Sequence, residues 1–240
     1  MATNYHNLGA ATSTTADRAV VDEGLRSYML RVYNYMGSGL ALSGIVALMI
    51  ARSDAAIQFI FGSGLGMIAM FAPLGLLLVM SFGFNKLSAT AIQAMYWAFT
   101  GLMGVSLASV FLVYSLGDVA RVFFITAATF GAMSLFGYTT KRDLSGWGSF
   151  LFMGLIGIVI AAIVNIFLGS AMLTFVISVI GVLVFTGLTA YDTQRIKSEF
   201  IAYGMEGAMA TKTAVMGAVS LYLNFINLFY MLLALLGNRE

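Results

Sequence analysis

Apolar residues run along this chain in long blocks separated by short polar breaks. Six intervals carry no charged side chain: 32–51, 55–85, 87–117, 122–140, 144–191 and 213–238, holding 20, 31, 31, 19, 48 and 26 residues. A helix crosses the roughly 30 Å hydrocarbon layer of a bilayer in about 20 residues. Each interval therefore holds one span, except the 48-residue one, which folds at Leu168-Gly169-Ser170 and holds two. The expected helices are 32–52, 65–84, 88–114, 119–139, 147–168, 172–197 and 214–236. Backbone polar groups in lipid must be satisfied within the segment, which makes these spans helices. The period-2 alternation of a membrane barrel is absent. The pattern predicts an all-α integral membrane protein, a bundle of seven transmembrane helices. A polar N-terminal tail, residues 1–31, precedes a membrane domain over 32–238. That tail is mixed in charge and reads as no cleavable signal, so the first span is expected to stay as an anchor.

Composition agrees and removes alternatives. Hydrophobic residues make up 60% of the chain and charged ones 9%, with a mean hydropathy of +0.95. Soluble domains carry about 25% charged residues, and disordered chains need many charges and few apolar groups. Cysteine is absent, which excludes disulfides, thiolate nucleophiles, zinc–thiolate sites and iron–sulfur clusters. The single histidine, His6, lies in the polar tail, so intramembrane zinc hydrolysis and serine–histidine proteolysis have no imidazole to use. A retinal-binding last helix would need a lysine, and 213–238 has none. An enzyme is not expected, nor a bound cofactor. The net charge of +2 gives no footprint for nucleic acid.

The charges also orient the bundle. Nine Lys/Arg residues fall on one side of the seven-span topology: Arg18, Arg26, Arg31, Lys86, Lys141, Arg142, Arg195, Lys197 and Lys212. Three fall on the other, Arg52, Arg121 and Arg239. The positive-inside rule places the N terminus in the cytoplasm and the C terminus outside. Small residues on one helix face, Gly37, Ala41 and Gly44 in the first span and Ala94, Gly101 and Ala108 in the third, suit close helix packing. Pro73, the only proline, lies inside the second span. It cannot donate to the Ala69 carbonyl, so a kink is expected there, and the freed carbonyl can serve as a hinge or a cation ligand.

Polar groups inside the spans are the candidates for chemistry. Asp192, in Ala190-Tyr191-Asp192-Thr193-Gln194-Arg195, is the one acid between Leu144 and Gln194 and sits near the expected end of the sixth span. A carboxylate there opposes the helix macrodipole. It either pairs with Arg195 at i+3 or faces a cavity where it binds a proton or a cation. On the last span Ser220, Asn224 and Asn227 share one face, continued by Gly217 and Thr213. That polar stripe should face the bundle interior, which makes the C-terminal helix central. Asp192 and Asn224 lie in the same half of consecutive helices and can meet.

Three stretches together resemble the Bax inhibitor-1 family. They are Gly181–Gly187 followed by Tyr191-Asp192-Thr193-Gln194, Gly137–Leu144, and Leu221–Phe229. The resemblance covers the chain from about residue 25, and the short end Gly237-Asn238-Arg239-Glu240 has no Lys-rich tail, as in a bacterial member. It implies a seven-helix bundle around the last helix and a pH-sensitive calcium leak governed by two aspartates that share a proton. Asp192 matches the first of these. The second falls on Asn224, which does not ionise. Two adjacent carboxylates titrate as a coupled pair; an Asp–Asn pair has one ionisable member. A weakened pH response is therefore expected, with Asp192 a weak calcium ligand at most, since calcium takes several oxygens. The longer stretch between the two positions, around Ala202–Lys212, reads as a loop insertion.

Two functions follow as expectations. One is a cation leak with Asp192 as gate or proton site, Asn224 and Asn227 as lining, and Tyr191, Arg195 and Ser220 in support, with Ca2+ as the transported ion. The other, implied by the resemblance, is regulation of a membrane-anchored AAA protease in the bacterial inner membrane, with the tail 1–31 as the segment the protease grips.

Overall fold

A computed structural model of the chain describes residues 5–204 and 206–238, with side chains from Asp22 onward except Leu65. His6, Arg18 and Arg239, used in the sequence argument, lie outside the described side chains. The helices are α1 (Tyr5–Ala51), α2 (Asp54–Gly62), α3 (Leu65–Gly83), α4 (Ala89–Leu107), α5 (Leu116–Thr139), α6 (Ser145–Leu168), α7 (Ala171–Tyr203) and α8 (Gly207–Leu236). A 3-10 stretch, Ala108–Leu112, finishes α4. Seven of these are long and apolar enough to cross a membrane; α2, at 9 residues, is not.

Polar residues end the helices where the chain reverses. Serine side chains cap α2, α4, α5 and α7: Ser53, Ser88, Ser115 and Ser170 accept from Ala56, Ala91, Asp118 and Leu173 amides at 3.3, 3.1, 3.1 and 3.3 Å. The reversal expected at Leu168-Gly169-Ser170 is there. Gly169 takes φ 60° after α6, and the Asn165 carboxamide oxygen accepts from the Ser170 amide at 3.0 Å.

Four features differ from the sequence expectation. First, α2 emerges from the interval 55–85, because Ser53 caps it and Asp54 suits its first turn. Second, α1 starts well before residue 32, and Leu25, Tyr28 and Met29 are buried in the core. Third, the stretch 202–212 is no loop: α7 runs to Tyr203, Gly204 caps it at φ 52°, and α8 begins at Gly207. The extra residues lengthen two helices, and Phe200 on the α7 extension stacks on Tyr28 of the α1 extension at 4.7 Å. Fourth, Asp192 consequently lies about three turns from the end of α7, beyond the one turn over which the macrodipole acts.

The C-terminal helix is central. It packs against α1, α4, α5 and α7, and Ala214, Ala218, Leu221, Tyr222 and Leu228 on it are fully buried. In its most apolar stretch 50% of residues are buried, against 11% for α6, which packs only on α7. Helices α1 and α4 approach closely where Gly104 meets the Ser43 backbone and where Gly39 makes room for the Tyr96 and Thr100 side chains. A Cβ on Gly104 would stand 2.7 Å from the Ser43 carbonyl, whereas one on Gly37, Gly44 or Gly101 would meet nothing. Helix α3 continues through Pro73, and the Ala69 carbonyl it frees accepts from the Ser106 hydroxyl of α4 at 2.8 Å.

Candidate functional site

The α7–α8 seam brings the central candidates together. The end of the bundle carrying Arg26, Tyr138 and Arg195 is called the basic end below. There Asn224 Nδ2 donates to Asp192 Oδ2 at 2.7 Å. Arg195 donates to the other oxygen, Oδ1, from Nη2 at 2.8 Å and from Nε at 3.1 Å. Both carboxylate oxygens are thus engaged. Asp192 and Asn224 are buried, 8% and 5% exposed. The Arg195 side chain is 38% exposed and so forms the outward face of the cluster.

Arg195 has further acceptors. Its Nη2 reaches the Ser220 hydroxyl at 3.3 Å and its Nη1 reaches Glu199 Oε1 at 3.4 Å. A cavity of about 840 Å³ opens beside it, lined by Ser81, Asn85, Glu199, Thr213 and Ser220 among others. Asp192 is not among the lining residues; Arg195 stands between it and this vestibule. A guanidinium held over a buried carboxylate at the floor of a vestibule of mixed polar and apolar lining can act as a stopper. It has a second carboxylate, Glu199, one turn further out.

Other sequence candidates are placed elsewhere. Asn227 is half-buried and donates to the Leu223 carbonyl of its own helix at 2.8 Å. Tyr191 faces α6, where a Cβ on Gly148 would stand 2.6 Å from its ring. Pro73 belongs to the α3–α4 contact. Among the described residues no group of three or more His, Cys, Asp and Glu comes together as a metal site.

Two arrangements escaped the sequence argument. Gln194 clamps the α5–α6 loop: its Oε1 accepts from the Leu144 amide and its Nε2 donates to the Arg142 carbonyl, both at 2.8 Å. Lys197 adds a bond to the Tyr138 carbonyl at 2.8 Å. In the same loop the Ser145 hydroxyl and amide hold the Asp143 carboxyl below its ordinary range. The adjacency of Gly137–Leu144 and Tyr191–Gln194 as motifs was the available signal. The other arrangement is a hydroxyl chain: Tyr33 to Ser134 at 2.6 Å, Ser134 to Thr193 at 3.0 Å, and Thr193 to the Thr189 carbonyl at 2.8 Å.

The fold is thus a multi-pass membrane bundle with seven spans around its last helix, carrying one buried carboxylate on the central seam. Comparison with known proteins gives the family. The model for "Inhibitor of apoptosis-promoting Bax1" matches residues 25–240, and the chain belongs to this Bax inhibitor-1 family. It is 47% identical over 228 residues to a protein of Rickettsia prowazekii, covering 95% of this chain and 96% of that one. A Caulobacter vibrioides protein is 47% identical over 249 aligned positions, covering 99% and 100%. The inner membrane protein YbhL of Escherichia coli is 45% identical over 219 residues, covering 90% and 94%. The chain is a member of the bacterial branch and a multi-pass membrane protein.

Proposed function

We propose that this protein is a cation leak pathway of the bacterial inner membrane, with Ca2+ as the ion, and that its pH response is weak. The observation that carries this reading is the engagement of both Asp192 oxygens, one by Asn224 and one by Arg195. With a single carboxylate on the seam, no proton is shared between two acids, so a coupled titration has no basis. The pathway leads from the vestibule past Arg195 to Asp192, and the arrangement described is its closed state. Opening requires Arg195 to leave Asp192, with Glu199 and Ser220 as the groups that receive it. An uncompensated buried carboxylate then attracts a cation at the seam. The excess of Lys/Arg on the side carrying the vestibule supports a cytoplasmic opening.

Reconstituted in liposomes loaded with a calcium reporter, the wild type passes Ca2+ and Asp192→Ala passes severalfold less. Equal flux in the two removes Asp192 from the pathway. Regulation of a membrane-anchored AAA protease is the second reading. It rests on the N-terminal segment, whose first four residues lie outside the described ones. Deleting residues 2–20 leaves protease association and turnover unchanged if that reading is wrong.

A further inference from the structure

Helices α1 and α5 flank α8 with no Cα atoms of the two within 8 Å among the described residues, and the Tyr33–Ser134 hydrogen bond at 2.6 Å bridges the gap between them. The crevice between them holds two separate cavities. Toward the basic end it is a cavity of about 420 Å³ walled by Met29, Leu30, Tyr33, Phe130 and Leu135, with Arg26 and Tyr138 at its mouth. Toward the other end it is a wholly apolar cavity of about 220 Å³ whose floor is Phe225, Ile226 and Phe229 of α8. Glycines keep it open: Gly131 lines the first cavity and Gly44 the second, and a Cβ on either would meet nothing within 4 Å.

Polarity grades along this crevice. At the mouth the Arg26 guanidinium and the Tyr138 hydroxyl have no hydrogen-bond or ion-pair partner among the described residues. Asp22 and Glu23, one turn earlier on α1, do not pair with Arg26. Lys197 adds positive charge behind the Tyr138 ring, 5.0 Å from its centroid. Deeper in, Tyr33 and Ser134 spend their hydroxyl protons on the chain to Thr193 and Thr189, leaving no free donor. Beyond them every wall is apolar. The basic-end cavity spans Arg26 to Tyr33 along α1, about 10 Å at 1.5 Å per residue, which lies within one half of a roughly 30 Å hydrocarbon core.

The geometry points to a binding site for one anionic phospholipid, drawn from the leaflet on the basic end. Its phosphate meets Arg26 and Tyr138 at the mouth, and an acyl chain lies in the crevice between α1 and α5. Two unspent donors above an apolar slot match the order of charge and hydrocarbon in such a lipid. A zwitterionic lipid brings its own cation to the Arg26 charge and is the poorer fit.

The test uses the full chain in nanodiscs, with spin-labelled phosphatidylglycerol or phosphatidylcholine as probe. The wild type holds phosphatidylglycerol about fivefold more strongly than phosphatidylcholine, the preference one basic side chain at a membrane surface supplies. Arg26→Gln brings that ratio close to one. Gly131→Leu, which fills open space, lowers the immobilised fraction of both lipids while leaving thermal unfolding unchanged. A ratio of one in the wild type, or full retention in Gly131→Leu, overturns the site. The chain has no cysteine, so Gly131→Cys gives a single-thiol probe. A disulfide-linked dimer of that variant in membranes shows a second copy in the crevice and likewise overturns it.

Discussion

Helix α8 buries two polar clusters, and they are built differently. Near the basic end Asn224 joins Asp192 and Arg195, an ionic cluster with one face open to a vestibule. On the opposite face of the helix, Tyr222 meets Ser43 at 2.7 Å, and Ser43 donates to the Thr100 carbonyl at 2.6 Å, linking α8, α1 and α4. Tyr222, Thr100 and Ser43 are buried and uncharged, and Phe99 packs edge-on against the Tyr222 ring at 5.4 Å. The neutral cluster sits where Gly104 meets the Ser43 backbone, and its hydrogen bonds hold three helices in register. The ionic cluster sits where a solvated counter-ion reaches the carboxylate, so the charge is never stranded in a dry interior. The first arrangement resists change; the second has an alternative partner in Glu199 and can rearrange.

Breaking the neutral cluster should cost stability without a functional signature. Gly104→Leu drives a side chain into the Ser43 backbone and is expected to destabilise by about 3 kcal/mol, the upper range for overpacking, read as a lower melting temperature in detergent. Breaking the ionic cluster should do the reverse. Arg195→Gln is expected to cost about 1–2 kcal/mol, reduced by the exposure of the guanidinium, while raising Ca2+ flux because the stopper is gone. A smaller effect follows from Tyr222→Phe. Ser43 keeps Thr100, so the loss should be roughly 0.6 kcal/mol, typical of one interhelical hydrogen bond in a membrane, with flux unchanged. Thr186→Val marks the floor of the scale. Its hydroxyl is buried without a partner among the described residues, and the melting temperature should move by an amount equivalent to less than about 0.5 kcal/mol.

Much of this was legible in the sequence, and the failures have a common cause. Charge-free blocks report what lipid tolerates, so the seven spans were readable. Helices that continue past the bilayer carry charges and were invisible to that reading: Arg26 and Arg31 lie inside α1, and Arg195, Lys197 and Glu199 inside α7. The short α2 was hidden because its nine residues merge with an apolar interval, and only the Ser53-Asp54 cap betrays it. Periodicity gave faces but not neighbours. Gly37 and Gly44 do share a face, yet that face opens on the α1–α5 crevice, and the tight crossing falls on Gly39 instead. Asp192 and Asn224 were readable as partners, since each is the polar residue of its helix half and consecutive helices pack. Asn227 shares their stripe, but one turn further along its side chain returns to its own backbone.

The central claim is that a single carboxylate on the α7–α8 seam leaves this protein without a two-acid pH switch. The pH profile of Ca2+ flux across proteoliposomes, for the wild type and Asn224→Asp, tests it most directly. Asn224→Asp sets a second carboxyl within hydrogen-bond distance of Asp192, where one of the pair is driven to hold its proton to higher pH. Flux through that variant should acquire a steep pH dependence, because one carboxyl of a close pair holds its proton above the ordinary carboxylate range, while the wild type stays flat. A steep profile in the wild type, unaltered by Asn224→Asp, would contradict the account.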